Sequence, residues 1–130
     1  MYALDTNSVS YFLKGHGRVA DRLLALPPRS VGLPAIALYE LDYGASRSEA
    51  PRGLRERLDV LLGALQVLPF AAGEARAAAR IRVDLEKAGK PIGPMDLLIA
   101  ATAVEQDAVL VTHNTREFRR IRGLRVEDWY

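Results

Sequence analysis

The sequence predicts an α/β protein: a three-layer α/β/α arrangement on a short, mostly parallel sheet. Two observations carry that expectation. Short apolar runs of strand length alternate with helical segments, the order that builds parallel sheets covered on both faces. One segment, Pro94–Gln106, is apolar on nearly every side, as a helix buried against such a sheet must be.

Each element has a local reason. Residues 1–4 form an apolar run ending at Asp5, a first strand. Ser8 is the expected cap of a helix through Lys14, which Gly15 and Gly17 break. Arg18–Leu26 makes a second short helix, stopped by Pro27-Pro28. Val31–Leu33 is a brief strand, and Pro34 suits the first turn of a helix from Ala35 to about Arg47. Pro51 opens a helix to about Ala64. Gln66–Leu68 is a third strand, ended by Pro69. Gly73–Ala88 is rich in alanine and arginine, hence helical, with Gly89 as its stop. Ala108–Thr112 is a fourth strand, and Gly123 precedes a last one near Leu124–Val126.

The 130 residues suit one domain, 1–130. A chain of this size buries roughly two-thirds of its unfolded surface, enough for a core without staples. There is no cysteine, which excludes disulfides and thiolate metal sites. The N-terminus has no basic leader and meets an acid at its fifth residue. No apolar run approaches the ~20 residues of a membrane span. A soluble cytoplasmic protein with no membrane partner is expected. Of 18 basic residues, 15 are arginine, against 16 acids. The arginine fork matches phosphate, although a GC-rich genome or heat-adapted surface pairing gives the same composition.

In open parallel sheets the ligand site lies beyond the carboxyl ends of the strands. Three acids fall where that edge is expected. Asp5 directly follows the first strand; a helix N-cap or Asx-turn also accounts for it. Glu40 lies within the apolar face made by Ile36, Ala37, Leu41 and Gly44. A carboxylate there needs a cation, a partner or a proton; an arginine pair, or a side chain reaching water, would also answer. Asp96 sits in the first turn of the most apolar helix, where the helix dipole favours an anion. Three acids from three elements at one edge raise one another's pKa unless a cation neutralises them. Oxygen-only ligation suits magnesium or manganese rather than zinc.

Ala3-Leu-Asp-Thr-Asn7, Pro34-Ala-Ile-Ala-Leu-Tyr-Glu-Leu-Asp-Tyr-Gly44, Pro94-Met-Asp-Leu-Leu-Ile-Ala-Ala101 and Val111-Thr-His-Asn-Thr-Arg-Glu-Phe118 resemble the ordered motifs of the PIN-domain family. The nearest likeness is to the VapC-type toxins of bacterial toxin–antitoxin pairs, over essentially the whole chain. The resemblance implies a PIN-like fold and an endoribonuclease using Mg2+ or Mn2+ on single-stranded or loop RNA. It maps the family's acids onto Asp5, Glu40 and Asp96, as catalytic residues and metal ligands, with Thr6 and Asn7 supporting Asp5. Thr112 would orient the loop after the fourth strand. Where the family often carries a fourth acid, this chain has Asn114, with Glu117 three residues later. A cognate antitoxin and a homodimer are the implied partners. The expected dimer surface is the pair of helices Arg18–Leu26 and Ala35–Arg47, whose apolar residues exceed what one sheet face covers.

Arg116, Arg119, Arg120, Arg122 and Arg125 cluster beside the expected site. A solvated face is the usual meaning of such a run; beside a phosphodiesterase site, RNA-backbone contact by Arg116, Arg119 and Arg120 is expected. His16 and His113 have no Ser or Cys nucleophile to join and are expected on loops. A phosphate-switch receiver would want an aspartate where Leu68-Pro69-Phe70 stands. A haloacid-dehalogenase phosphatase would want a second aspartate at Asn7. No glycine-rich phosphate loop is present. The remaining alternative is a metal-free PIN-like module that binds RNA or a partner without catalysis.

Overall fold

The computed structural model describes all 130 residues. In chain order the elements are β1 (Tyr2–Leu4), α1 (Thr6–Lys14), α2 (Val19–Leu24), β2 (Val31–Pro34), α3 (Ala35–Ser46), α4 (Leu54–Ala64), β3 (Gln66–Leu68), α5 (Ala72–Lys87), α6 (Pro94–Glu105), β4 (Val109–Val111), α7 (Thr115–Phe118) and β5 (Arg125–Glu127). A 3-10 turn, Pro28–Ser30, leads into β2. The five strands form one sheet, ordered β3-β2-β1-β4-β5, and every pairing is parallel. The expected three-layer α/β/α fold is therefore the observed one, with a sheet that is wholly parallel.

Three features depart from the sequence expectation. Asp5, not Ser8, caps α1; a carboxylate directly after a strand reaches the free N–H groups of the first turn before Ser8 does. Pro51 does not open α4: Gly53, at φ 82°, turns the chain first, and Leu54 begins the helix. The four-residue α7 was not foreseen, because a single turn shows no period.

The interior of the sheet is Ala3, Leu4, Val31, Leu33, Leu110 and Val111, all fully buried. Above it α6 places Ile99, Ala100 and Ala103 with no exposed surface, as its all-round apolar sequence requires. α5 packs along α6 through Ala77, Ala78, Ile81 and Leu85. The two helices are antiparallel: Gly73 at the start of α5 meets Glu105 at the end of α6, where a Cβ would lie 2.6 Å from Glu105 Oε1. Glu74, itself buried, accepts the Ala71 N–H through Oε1 at 2.8 Å and so closes the first turn of α5.

The C-terminus is part of the core. Trp129 is buried, and its indole N–H donates to Glu127 Oε1 at 3.0 Å. Its carbonyl accepts the Arg18 N–H, and Tyr130 covers Gly17 so closely that a Cβ there would lie 2.7 Å from Tyr130 Cα. No helix is long and apolar enough to cross a membrane.

The strand order sets the position of the site. From β1 the chain steps outward to β2 and β3, then returns across the sheet to β4, on the other side of β1. The carboxyl ends of β1 and β4 therefore flank the point where the order reverses, the crevice in which open α/β sheets bind ligands.

Candidate active site

Asp5 is the first residue beyond β1. Its backbone is extended (φ −77°, ψ 170°), and its Oδ1 accepts the Ser8 N–H at 2.8 Å. Its own N–H donates to the Val111 carbonyl at 3.1 Å, and the Ser8 hydroxyl donates to that same carbonyl at 3.0 Å. The ends of β1 and β4 are thus stitched together at Asp5, the expected metal ligand, which also serves as the N-cap of α1. The Asp5 side chain is buried, and burial raises its pKa above the usual aspartate value. Hydrogen bonding from Thr112 and Ser8 pulls the other way, and the charge of Glu40 adds to the rise.

Glu40 lies on α3 between buried Ala37 and Leu41 and is itself half-buried. The Thr6 hydroxyl donates to its Oε1 at 2.6 Å. Thr6 thus supports Glu40 rather than Asp5, because as the first residue of α1 it has turned away from the end of the strand. Asn7 is exposed and makes no hydrogen bond to Asp5. Asp42, on the solvent side of α3, pairs with Arg55 at 2.5 Å, as an exposed acid ordinarily does.

Asp96 is the third residue of α6, behind Pro94. Its pKa is raised to about 6, by burial first and then by the charges of Asp5, Glu40 and Glu117. Four carboxylates therefore share one field. The fourth, Glu117, comes from α7, and Asn114 donates its amide to Glu117 Oε2 at 3.0 Å. Asn114 in turn is positioned by donating its backbone N–H to the Thr112 hydroxyl at 3.0 Å. Asn114 thus supplies no charge but steadies the acid that does.

None of the four acids takes part in any of the protein's seven salt bridges. The buried Glu–Arg pair that would have explained Glu40 does not exist. No three of the acid and histidine side chains stand close enough for direct ligation of one ion in this conformation. An oxygen-only set with two raised pKa values and no cationic side chain among its partners fits a hard divalent ion held partly through water.

Arg116, Arg119 and Arg120 are exposed around α7. Arg120 donates to the Pro91 carbonyl at 3.2 Å, and none of the three is in a salt bridge. Arg125, in contrast, is committed to Asp107 at 3.0 Å and is not free for a ligand. His16 and His113 are exposed loop residues. His113 stacks on Tyr130 with centroids 4.2 Å apart and places Nδ1 2.9 Å from Asp128, with no nucleophile beside it.

The PIN domain family model matches residues 2–124. The chain is 34% identical to the tRNA(fMet)-specific endonuclease VapC of Shigella flexneri, over 98% of this chain and 97% of that one. It is 36% identical to ribonuclease VapC2 of Rickettsia felis, over 99% and 98%. Among solved structures it superposes with a TM-score of 0.91, at 34% identity, on the crystal structure of VapBC2 from Rickettsia felis bound to a DNA fragment from their promoter. That match covers 99% of this chain and 98% of the other. The sheet order, the four acids at its carboxyl edge and matches of this extent place the chain in the PIN domain family.

Proposed function

We propose that this protein is a divalent-cation-dependent endoribonuclease, the toxin of a toxin–antitoxin pair, acting in the cytoplasm. The observation that carries this is the set of four carboxylates, Asp5, Glu40, Asp96 and Glu117, sharing one field without a cationic partner. The endonuclease and ribonuclease names of relatives aligned over nearly the whole chain support it. Structural neighbours that include toxin–antitoxin complexes support a cognate antitoxin as partner.

Asp5 and Asp96 would hold the ion, with Glu40 close by and magnesium, or manganese, as the expected metal. Bound there, such an ion supplies positive charge against the phosphate and lowers the pKa of water. The protein's own groups do the positioning. Ser8 and Thr112 fix the Asp5 carboxylate. Thr6 holds Glu40 by Oε1, leaving Oε2 to take a proton from the attacking water. The water oxygen bonds to phosphorus, the bond to O3′ breaks, and O3′ takes a proton from solvent. The products are a 5′-phosphate and a 3′-hydroxyl. Arg116, Arg119 and Arg120 contact the backbone without choosing its sequence.

A homodimer belongs to the same proposal. The apolar surplus expected on the second and third helices divides in two. Leu24 of α2 lines a groove with Phe12, Leu13, Val60 and Leu61, whereas Tyr39 and Tyr43 stand exposed one turn apart on α3, outside that groove.

RNA cleavage by the purified protein tests the proposal. EDTA should abolish cleavage, and Mg2+ or Mn2+ should restore it. An RNA lacking the 2′-hydroxyl at the cut site should still be cut. A 2′,3′-cyclic phosphate product would refute it, because the ribose itself would then be the nucleophile. RNA binding without cleavage under any metal would favour the non-catalytic module instead.

A further inference from the structure

A pocket of about 380 Å³ opens between the end of α5 and the turn that follows α7. Lys87, Lys90, Arg120 and Arg122 stand around it, with Asp84 as the only acid. None of the four cations is in a salt bridge, although their neighbours are: Arg82 pairs with Glu86 and Arg125 with Asp107. Four unpaired cations around one concavity repel, and an anion entering it removes that repulsion. The wall beneath them is apolar, made by Ile81, Leu85 and Ile121, each less than a tenth exposed. An apolar wall under a cationic rim suits a ligand with a flat organic part and an attached negative charge.

The position of the pocket says which such ligand reaches it. Because α5 and α6 are antiparallel, the end of α5, with Lys87, lies beside the start of α6, with Asp96. Arg120 is pinned to the Pro91 carbonyl, five residues before Asp96. Five residues span at most ~17 Å, or about five stacked nucleotides of a strand. The four acids repel phosphate, so a polyanion lying across them must be held from the flank.

We propose that this pocket is a second contact site for the substrate strand, holding one nucleotide. Its phosphate lies on the rim of Lys87, Lys90, Arg120 and Arg122, and its base or ribose lies against Ile81, Leu85 and Ile121. This inference rests on the proposed ribonuclease activity for its ligand, not for the pocket itself. It assigns a role to Lys87 and Lys90, which lie outside the arginine cluster apparent in the sequence. An acidic peptide of a partner protein is the competing polyanion. RNA is favoured because a strand seated on the acids reaches the pocket by continuity.

The test uses the full chain with Lys87→Glu and Lys90→Glu together; both residues are exposed. Binding of a loop RNA in EDTA, by fluorescence anisotropy, should weaken about tenfold or more. The slope of log affinity against log salt should fall by about 0.7, one single-strand phosphate contact. With metal, KM for that RNA should rise while kcat holds, and a dinucleotide, whose one phosphodiester is the bond cut, should be cleaved as before. Lys87→Arg with Lys90→Arg should retain binding. If wild type binds RNA through this pocket yet cleaves nothing, the ribonuclease activity fails and the pocket stands. Unchanged RNA affinity in the Glu variant overturns the pocket, as does an effect of equal size on the dinucleotide. Loss of affinity for an acidic partner segment alone would assign the pocket to protein.

Discussion

Replacing Asp96 by asparagine should stabilise the metal-free protein at neutral pH. In the unfolded chain this carboxyl titrates near 3.8; in the folded protein it titrates at about 6. The folded state therefore holds the proton more tightly. Below about pH 4 both states are protonated and the residue costs nothing. Between about pH 4 and pH 6 stability falls as pH rises, and above pH 6 the full penalty is present. About two pKa units correspond to ~3 kcal/mol. The carboxyl is only half-buried, so solvent screening reduces this to roughly half. Asparagine also forfeits roughly 0.5 kcal/mol of interaction with the α6 dipole. The net gain is about 1 kcal/mol at pH 7.5, or roughly 4 °C in Tm for a domain of this size. Urea unfolding of wild type and variant in EDTA, at matched concentration, measures it; the gain should shrink as pH approaches 4. Excess magnesium should reverse the order, because only wild type keeps the complete set of acids for the ion. A variant destabilised at pH 7.5, with the loss fading as pH approaches 4, would show Asp96 to be a helix-end anion and nothing more, refuting the repulsion argument.

Thr6→Val removes the hydroxyl that holds Glu40. Its kcat should fall about tenfold or more with KM for RNA little changed, and an unaltered kcat would mean that Thr6 does not position the base. Gly32→Ala should cost about 1–3 kcal/mol in urea unfolding, since the new Cβ would lie 2.7 Å from Leu68 Cγ. Adding Leu68→Ala should recover part of that loss. Strict additivity of the two changes would place the clash elsewhere.

Much of the fold was legible in local pattern. The alternation of apolar runs and helices, the stops at Pro27, Pro69 and Gly89, and the all-round apolar α6 each report burial, which neighbouring residues encode. The acids were legible for the same reason: Asp5 follows a strand, Glu40 interrupts an apolar face, and Asp96 opens a buried helix. The motifs around them carried the family resemblance as well. Tertiary structure alone decided what meets what. Thr6 reaches Glu40 across 34 residues, and Ser8 reaches Val111 across 103. Those contacts exist only because β4 lies beside β1 and β2 on its other side. α7, too short to show a period, brings Glu117 into the field of Asp96. Antiparallel packing of α5 on α6 gathers Lys87 and Lys90 with Arg120 and Arg122. Periodicity tells a residue which side is buried, but the partner it finds there is set by strand order and helix packing, which no short window of sequence contains.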